Sequence, residues 1–334
     1  MLRQLLIPGT SLRVSEMSLG TMNWGSSVSL DQMFQLFDLY RTRGGNTLDT
    51  AHLYACWQNR PHGRNALGAS EEAIGHLLKN RGGNRRQLII ISKGGHPSFA
   101  PDYVRQPNYL DPALVRKDLS ESLARMGLPM LDLYFLHRDD RRIPVGEIID
   151  MLNELVAEGR IRYFGASNWS GARIAEANAY AAGKGTMGFV ASQPEFSLAV
   201  PAAGVHDRDT WAAPEPADDL ATRFLTIADL HWHRISGFPA FCYSPTARGY
   251  FASAGTKAAD AFNHAETRAR RARAQELAAK KNATPNQIAL AWLRAQKFPA
   301  IPIVGPSTTD HLKDALDAAA ISLGDQETAW LAHG

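Results

Sequence analysis

Residues 131–137 read Leu-Asp-Leu-Tyr-Phe-Leu-His, a short apolar run that ends on a histidine. Runs of this length, rich in Leu, Ile, Val and aromatic residues, are typical of strands buried on both faces of a parallel sheet. Seven similar runs occur along the chain, and helical patterns separate them. The eight predicted strands are Met17–Met22, Thr47–Asp49, Leu88–Ser92, Leu131–Leu136, Ile161–Ala166, Phe189–Ser192, Ala240–Tyr243 and Ala300–Val304.

The stretches between these runs carry helix signals. Asp111-Pro112 combines a capping residue with a first-turn proline, and Gly159 provides a helix stop. Ser70 is predicted to cap a helix with an acidic first turn. The predicted helices are Leu30–Arg43, Ser70–Asn80, Asp111–Met126, Pro144–Glu158, Ser170–Ala182, Ala217–Ser236, Lys257–Lys281, Pro285–Gln296 and Thr308–Ala319.

Eight strands, each followed by a helix, form the pattern of a (β/α)₈ barrel, so we predict an α/β fold of the TIM-barrel type. An open doubly wound sheet uses the same alternation and is the alternative. Ahead of the first strand, Gln4–Ile7 and Leu12–Val14 predict a β-hairpin that closes one end of the barrel. No linker divides residues 1–334, which predicts a single domain. The connections 94–110 and 199–216 exceed the usual length and are predicted to be substrate loops.

The composition excludes several classes of protein. The 36 Lys and Arg against 33 Asp and Glu give a net charge of +3, too small a bias for a nucleic-acid-binding protein. Two cysteines, Cys56 and Cys242, cannot build a disulfide framework or a four-cysteine zinc site, and we predict no metal. No apolar run approaches the roughly 18 residues that cross a membrane, and Met1–Pro8 is too short for a signal peptide. We expect a cytoplasmic enzyme with a small-molecule substrate and no membrane partner, and leave a homo-oligomer open.

Polar or ionisable side chains follow nearly every predicted strand. Catalytic residues of (β/α)₈ barrels lie at the carboxyl ends of the strands. Asp49 ends the second strand and Tyr54 follows it, while Lys93 and His137 follow the third and fourth strands. Each residue alone has an ordinary structural explanation, but together they predict a catalytic group.

In their order and spacing, these segments resemble those of the aldo-keto reductases over essentially the whole chain. The segments that carry the resemblance are Asp49–Tyr54, Ile91–Lys93, Leu131–His137, Gly159–Asn168 and Tyr243–Pro245. The resemblance implies a barrel that binds a nicotinamide dinucleotide without a Rossmann domain. Within the family, the chain looks most like the branch of aryl-alcohol dehydrogenases and potassium-channel β-subunits. The implied reaction is NADP(H)-dependent reduction of an aldehyde, ketone or keto-sugar to the alcohol, or the reverse.

The same resemblance implies a role for each catalytic candidate. Tyr54 would donate the proton to the carbonyl oxygen. Because a free tyrosine has a pKa of about 10, its pKa must be lowered for reversible acid–base work near neutral pH. The ammonium of Lys93 would stabilise the phenolate, with Asp49 holding Lys93 in place. His137 would orient the carbonyl.

Cofactor and substrate contacts also follow from the resemblance. Amide and hydroxyl groups would hold the nicotinamide carboxamide, and Tyr243 would stack on the nicotinamide ring. The implied cofactor contacts are Thr21, Met22, Asp49, Ser167, Asn168, Gln193, Tyr243, Ser244, Pro245, Thr246, Arg248, Gly305, Ser307, His311 and Asp314. The predicted frame of the substrate pocket is Trp24, Trp57, His96 and Trp211.

The chain departs from the family pattern at the adenosine end. His311 stands where the family often has Arg or Gln, and Ala315 where it usually has Asn. Loss of a fixed positive charge weakens recognition of a 2′-phosphate. NADP(H) is still predicted, with Arg248 or His311 as phosphate partner and NAD(H) kept as the alternative. Two other functions stay open, a lyase with Lys93 as Schiff-base nucleophile and a nicotinamide-binding regulatory subunit with little turnover.

Overall fold

The computed structural model describes residues 1–58, 66–81, 83, 85–99, 103–201, 224–252 and 261–334. Within these ranges, eight parallel strands close into a barrel and a separate two-stranded hairpin precedes them. The hairpin strands are β1 (Gln4–Leu6) and β2 (Arg13–Ser15). The barrel strands are β3 (Ser18–Gly20), β4 (Thr47–Asp49), β5 (Ile89–Gly94), β6 (Leu131–Leu136), β7 (Ile161–Ser167), β8 (Ser192–Gln193), β9 (Ala240–Cys242) and β10 (Ala300–Val304).

Helices follow every barrel strand in the described ranges. They are α1 (Leu30–Thr42), α2 (Ala69–Arg81), α3 (Pro112–Met126), α4 (Val145–Ala157), α5 (Gly171–Lys184), α6 (Ile227–Ser236), α7 (Ala265–Lys281), α8 (Pro285–Arg294), α9 (Thr309–Asp317) and α10 (Asp325–His333). None of the helices in these ranges combines the length and the apolar character that a membrane crossing requires.

The barrel prediction is confirmed, because β10 pairs in parallel with β3 and closes the sheet. An open doubly wound sheet leaves the outer edge of each end strand without a partner strand, so that alternative is wrong. The short barrel strands are buried on both faces, as the apolar runs predicted.

Alternation along the strands divides the core into two layers. Ile89 and Ile91 belong to the cluster inside the barrel, together with Phe135. Ile90 points the other way, into the layer between the strands and the helices. Leu12 of the N-terminal hairpin joins the interior cluster, so the hairpin packs into one end of the barrel as predicted.

Several helix boundaries differ from the predictions. Ser70 does not cap α2 but lies within it, and its hydroxyl donates to the carbonyl oxygen of Thr21 at 2.7 Å. The helix predicted from Ala217, a residue outside the described ranges, begins at Ile227, because Thr226 and Asp229 form a capping box there. The sequence patterns did not predict α10, which buries only Leu331 and Ala332.

Two further predicted elements are shorter than expected. The helix predicted from Lys257, also outside the described ranges, begins at Ala265. The strand predicted over Phe189–Ser192 is β8, which covers only Ser192 and Gln193. Gln193 itself therefore belongs to the barrel wall.

Candidate active site

The carboxyl ends of β4 and β5 bring three of the predicted catalytic residues into hydrogen-bond contact. Nζ of Lys93 lies 2.6 Å from Oδ1 of Asp49 and 3.0 Å from the hydroxyl of Tyr54. Its third bond, also 2.6 Å, goes to the carbonyl oxygen of Thr50. The three protons of the ammonium therefore match three acceptors, which fixes the side chain of Lys93 in one orientation.

Strand alternation explains why these side chains point inward. Ile91 belongs to the interior cluster, and Lys93 is the next residue of β5 on the same face. On β6, Phe135 lies opposite Lys93 and belongs to the same interior cluster, two residues before His137. The barrel interior is thus apolar below and polar at the carboxyl ends of its strands.

Tyr54 lies in a tight turn that follows β4. The N–H of Tyr54 donates to the carbonyl oxygen of Ala51, and Ala55 takes a left-handed conformation with φ of 70°. His52 ties the turn to β5 through a 2.9 Å bond from its N–H to the carbonyl oxygen of Lys93. Backbone bonds to the neighbouring strand therefore set the position of the phenol.

Burial and charge shift the pKa values of Tyr54 and Lys93. Burial raises the pKa of the Tyr54 hydroxyl above its ordinary value, although Lys93 acts in the opposite direction. Burial lowers the pKa of Lys93, but the carboxylate of Asp49 raises it to a net value above the usual one. The sequence led us to expect a lowered tyrosine pKa. The structure differs because desolvation of the half-buried phenol outweighs the lysine.

His137 follows β6 directly and is buried, with a 2.8 Å bond from its N–H to the carbonyl oxygen of Gly94. Its ring lies 4.9 Å from that of His96 and 6.0 Å from that of Tyr54. Burial, with His96 and Arg138, holds the pKa of His137 well below its usual range. His137 is therefore a neutral imidazole that can donate or accept a hydrogen bond near Tyr54.

The ends of β7, β8 and β9 bring together amide and hydroxyl groups. Asn168 donates to the hydroxyl of Ser167 at 3.0 Å and accepts from the hydroxyl of Tyr243 at 2.7 Å. The hydroxyl of Ser167 donates to the carbonyl oxygen of Gln193, and Nε2 of Gln193 donates to Oδ2 of Asp49 at 2.8 Å. This group therefore joins the catalytic candidates through Asp49.

The loop after β9 has an unusual backbone. Ser244, Ala247 and Arg248 all have φ between 50° and 57°, a left-handed conformation that is uncommon outside glycine. Pro245 is buried and Thr246 is half-buried between them. The guanidinium of Arg248 is partly exposed and lies 3.8 Å from the carboxylate of Glu195. Strained backbone of this kind tends to occur at ligand-binding sites.

The β10–α9 connection and α9 itself contain the predicted adenosine contacts. Among the described residues other than its chain neighbours, no atom lies within 4 Å of the position that a Cβ of Gly305 would take. The N–H of His311 donates to the hydroxyl of Thr308, which caps α9. Ser307 is exposed just before this cap. Asp314 bonds Thr284 at 2.8 Å, so its carboxylate ties α9 to the start of α8.

The first barrel strand contributes two predicted cofactor contacts. The hydroxyl of Thr21 donates to the carbonyl oxygen of Asp49 at 2.9 Å, whereas Met22 is 44% exposed. Thr21 therefore helps to hold the end of β4. Met22 presents an apolar side chain to solvent at the same end of the barrel.

Aromatic rings surround the phenol of Tyr54. The ring of Trp57 lies edge-on to the rings of Tyr54 and Phe99, with centroids 6.4 Å and 5.7 Å apart. The centroid of the Phe99 ring lies 5.5 Å from that of His96. Trp57 and Phe99 are 40% and 47% exposed, so they form an open apolar rim. Trp24, by contrast, is 1% exposed and packs in the main core. Trp211 lies outside the described residues.

Sequence reasoning missed two residues near these groups. Phe99 belongs to the long loop 94–110, and the available signal was an aromatic residue in a predicted substrate loop. In the structure its side chain is exposed. Arg138 follows His137 directly and is only 7% exposed, although charged residues are rarely buried. Across the described part of the chain, no three His, Cys, Asp or Glu side chains are grouped as a metal site would require.

Comparison with known proteins places this geometry in a family. The sequence model described as "Aldo/keto reductase family" matches residues 16–332. An oxidoreductase of Bacillus subtilis, YrpG, described as uncharacterized, is 29% identical over 94% of this chain and 90% of its own length. The aldo-keto reductase str7 of Strobilurus tenacellus is 29% identical over 96% of this chain and 88% of its own. A protein of Schizosaccharomyces pombe named aldo-keto reductase yakc [NADP(+)] is 28% identical over 78% of this chain and 72% of its own.

Proposed function

Because the chain belongs to the aldo/keto reductase family, we propose that it is an NADP(H)-dependent oxidoreductase that reduces an aldehyde, ketone or keto-sugar carbonyl to the alcohol. The observation that carries this proposal is the ammonium of Lys93 between the carboxylate of Asp49 and the hydroxyl of Tyr54. We propose further that residues 1–334 act as one catalytic unit in the cytoplasm. The branch within the family stays a prediction.

The donors present fit a nicotinamide dinucleotide. Ser167, Asn168 and Gln193 supply the hydroxyl and amide groups that a carboxamide needs, and the half-exposed ring of Tyr243 is bonded to Asn168. In barrels of this type, phosphates often bind the loops after the last two strands. Here those loops hold the left-handed turn at Ser244–Arg248 and the capped start of α9. The name of the S. pombe relative supports NADP(H) over NAD(H).

The reaction needs a hydride and a proton. A reduced nicotinamide bound here would supply the hydride to the carbonyl carbon. The hydroxyl of Tyr54 would give its proton to the carbonyl oxygen, and the 3.0 Å contact with Lys93 would stabilise the phenolate that remains. His137, neutral because of its lowered pKa, would donate a hydrogen bond to the same oxygen and orient it.

The raised pKa of Tyr54 suits the proton-donor role in carbonyl reduction. A phenol with a pKa above its ordinary value is protonated near neutral pH, as a proton donor must be. The reverse reaction needs the phenolate as base.

The Schiff-base alternative receives no support from the environment of Lys93. A lysine nucleophile needs a neutral amine and therefore a lowered pKa. The pKa of Lys93 is raised instead, and three acceptors hold its ammonium.

A cofactor-oxidation assay over aldehydes, ketones and keto-sugars tests the proposal. We expect the protein to consume NADPH with at least one carbonyl class, and Tyr54→Phe to lose that turnover while still binding NADPH, as followed by cofactor fluorescence. Turnover retained by Tyr54→Phe would reject Tyr54 as the proton donor. Tight NADPH binding without turnover on any carbonyl would instead support the regulatory subunit.

A further inference from the structure

Arg138 is a buried cation without a carboxylate partner in the described ranges. The residue is 7% exposed, and Nη1 donates to the carbonyl oxygen of His137 at 2.8 Å. Its Nε atom is buried and has no hydrogen-bond partner. A guanidinium has five N–H donors, so most of its capacity is unused among the described residues.

Other cations near this end of the barrel are paired. Lys93 contacts Asp49 at 2.6 Å, Arg105 contacts Asp118 at 2.5 Å, and Arg173 contacts Asp139 at 3.2 Å. These contacts satisfy the rule that a buried charge needs an opposite charge. Arg138 departs from that rule, so folding alone does not explain its burial.

The positive charge of Arg138 acts on the groups proposed to carry out the reaction. Its electrostatic influence extends to Tyr54, Tyr243 and both histidines of the site, His96 and His137. His137 accepts, at its carbonyl oxygen, bonds from Arg138 and from the side chain of Asn168 at 3.1 Å. The guanidinium thus lies close enough to Tyr54 and His137 for its charge to act on both.

The other positive groups of the site offer no comparable charge. Asp49 neutralises Lys93. His96 bonds the carbonyl oxygen of Pro97 at 2.8 Å, and burial lowers its pKa to about 3. Arg138 is therefore the cation among the described site residues whose charge no carboxylate offsets.

We propose that Arg138 binds a negatively charged group of the substrate, so that the preferred substrate is an aldehyde or ketone with a carboxylate or phosphate near its carbonyl. The planar guanidinium fork matches both groups, each of which can accept two parallel hydrogen bonds. Binding such an anion would supply the missing partner of a buried charge. This inference rests on the proposed reductase function and narrows its substrate class.

Two pairs of test substrates each contain a charged and a neutral member with the same reacting carbonyl. One pair tests recognition of a carboxylate and the other tests recognition of a phosphate. Succinic semialdehyde is compared with its amide, and glyceraldehyde 3-phosphate with glyceraldehyde. We expect the wild-type protein to have the higher kcat/KM for the charged member of at least one pair. Arg138→Gln should lower kcat/KM for that charged member by about 10- to 100-fold, mainly through KM, and should affect the neutral member far less.

Two further variants sharpen the test. Arg138→Lys keeps the charge without the fork and should recover part of the loss. Arg142 pairs with Asp140 at 2.7 Å in the same loop, so Arg142→Gln is the matched control and should keep the wild-type ratio of charged to neutral substrate. Because Arg138→Gln removes an unpaired buried charge, its Tm should be no lower than that of the wild type.

An unchanged ratio in Arg138→Gln, or an equal fall for both members of a pair, would overturn the inference. A wild-type protein that reduces neutral carbonyls without preferring either charged one would also overturn it and leave the reductase function standing. If none of the carbonyl compounds supported NADPH oxidation, the reductase function would be rejected, and the inference with it.

Discussion

Nε2 of Gln193 donates a 2.8 Å hydrogen bond to Oδ2 of Asp49, across 144 positions of sequence. Asp49 ends β4, Gln193 ends β8, and the bond therefore joins two non-adjacent strands of the barrel. The other oxygen of Asp49 accepts from Lys93 at 2.6 Å. Both carboxylate oxygens are thus used, which fixes the orientation of Asp49 toward Lys93.

This arrangement predicts strong coupling between Asp49 and Lys93. Asp49→Asn leaves the buried ammonium without a carboxylate and should lower the free energy of unfolding by about 3–5 kcal/mol. The double variant Asp49→Asn with Lys93→Met removes both charges and should cost much less than the sum of the two single changes. Chemical denaturation of the four proteins measures this. Strictly additive losses would show that the two side chains act independently.

The buried histidines predict a loss of stability in acid. Burial lowers the pKa of His96 to about 3, well below the value of about 6.5 for an unfolded histidine. The unfolded chain therefore binds one more proton between these values, so the stabilising effect is complete above about pH 6.5 and is lost as the pH falls toward 3. His96→Gln should reduce the dependence of unfolding free energy on pH by about 1.4 kcal/mol per pH unit within this window.

Denaturation curves at pH 4, 5, 6 and 7 test this prediction. His333→Gln, at an exposed position, is the control and should keep the wild-type slope. His137 is held neutral by the same effect. It adds equally to the pH dependence of the unfolding free energy in the wild type and in the two variants. If His96→Gln kept the full slope, His96 would not be neutral in the folded protein.

Two simple rules of strand geometry account for what the sequence predicted. Short runs of three to six residues predicted the barrel strands, and the polar residue after each run predicted where the site lies. Asp49, Lys93 and Tyr54 are within hydrogen-bond distance as a result. The family assignment is confirmed over residues 16–332.

Other features depend on tertiary contacts that no local pattern records. The bond between Gln193 and Asp49 requires the barrel to close first. The direction of the Tyr54 pKa shift depends on how deeply the phenol is buried, and sequence does not contain that depth. That Arg138 has no carboxylate partner among the described residues could not be predicted either, because pairing depends on which carboxylates the fold brings near.

The exposed ring of Phe99 predicts a role in substrate choice. Phe99 contacts Trp57 and His96 edge-on, at 5.7 Å and 5.5 Å. Phe99→Ala removes one face of this rim and should raise KM for benzaldehyde by about 5- to 10-fold, with a smaller rise for an aliphatic aldehyde. Steady-state kinetics with both aldehydes measure the difference. Phe99→Leu is the control for apolar volume, and an equal rise for both aldehydes would count against aromatic recognition.

Arg248 predicts how the protein distinguishes NADPH from NADH. Its guanidinium is partly exposed beside the strained turn after β9, where it lies 3.8 Å from the carboxylate of Glu195. If it binds the 2′-phosphate, Arg248→Ala removes a charge-assisted contact and should raise KM for NADPH by about tenfold. KM for NADH should stay near the wild-type value, because NADH has no 2′-phosphate.

The two cofactors respond differently to the variant only if Arg248 contacts the phosphate itself. His311→Ala provides the comparison, since His311 is the other predicted phosphate partner and lies in the first turn of α9. If only His311→Ala lost affinity for NADPH specifically, the 2′-phosphate would be assigned to His311 in α9 and not to Arg248 in the loop after β9. Equal losses for NADPH and NADH in Arg248→Ala would mean that the turn, and not the guanidinium, holds the cofactor.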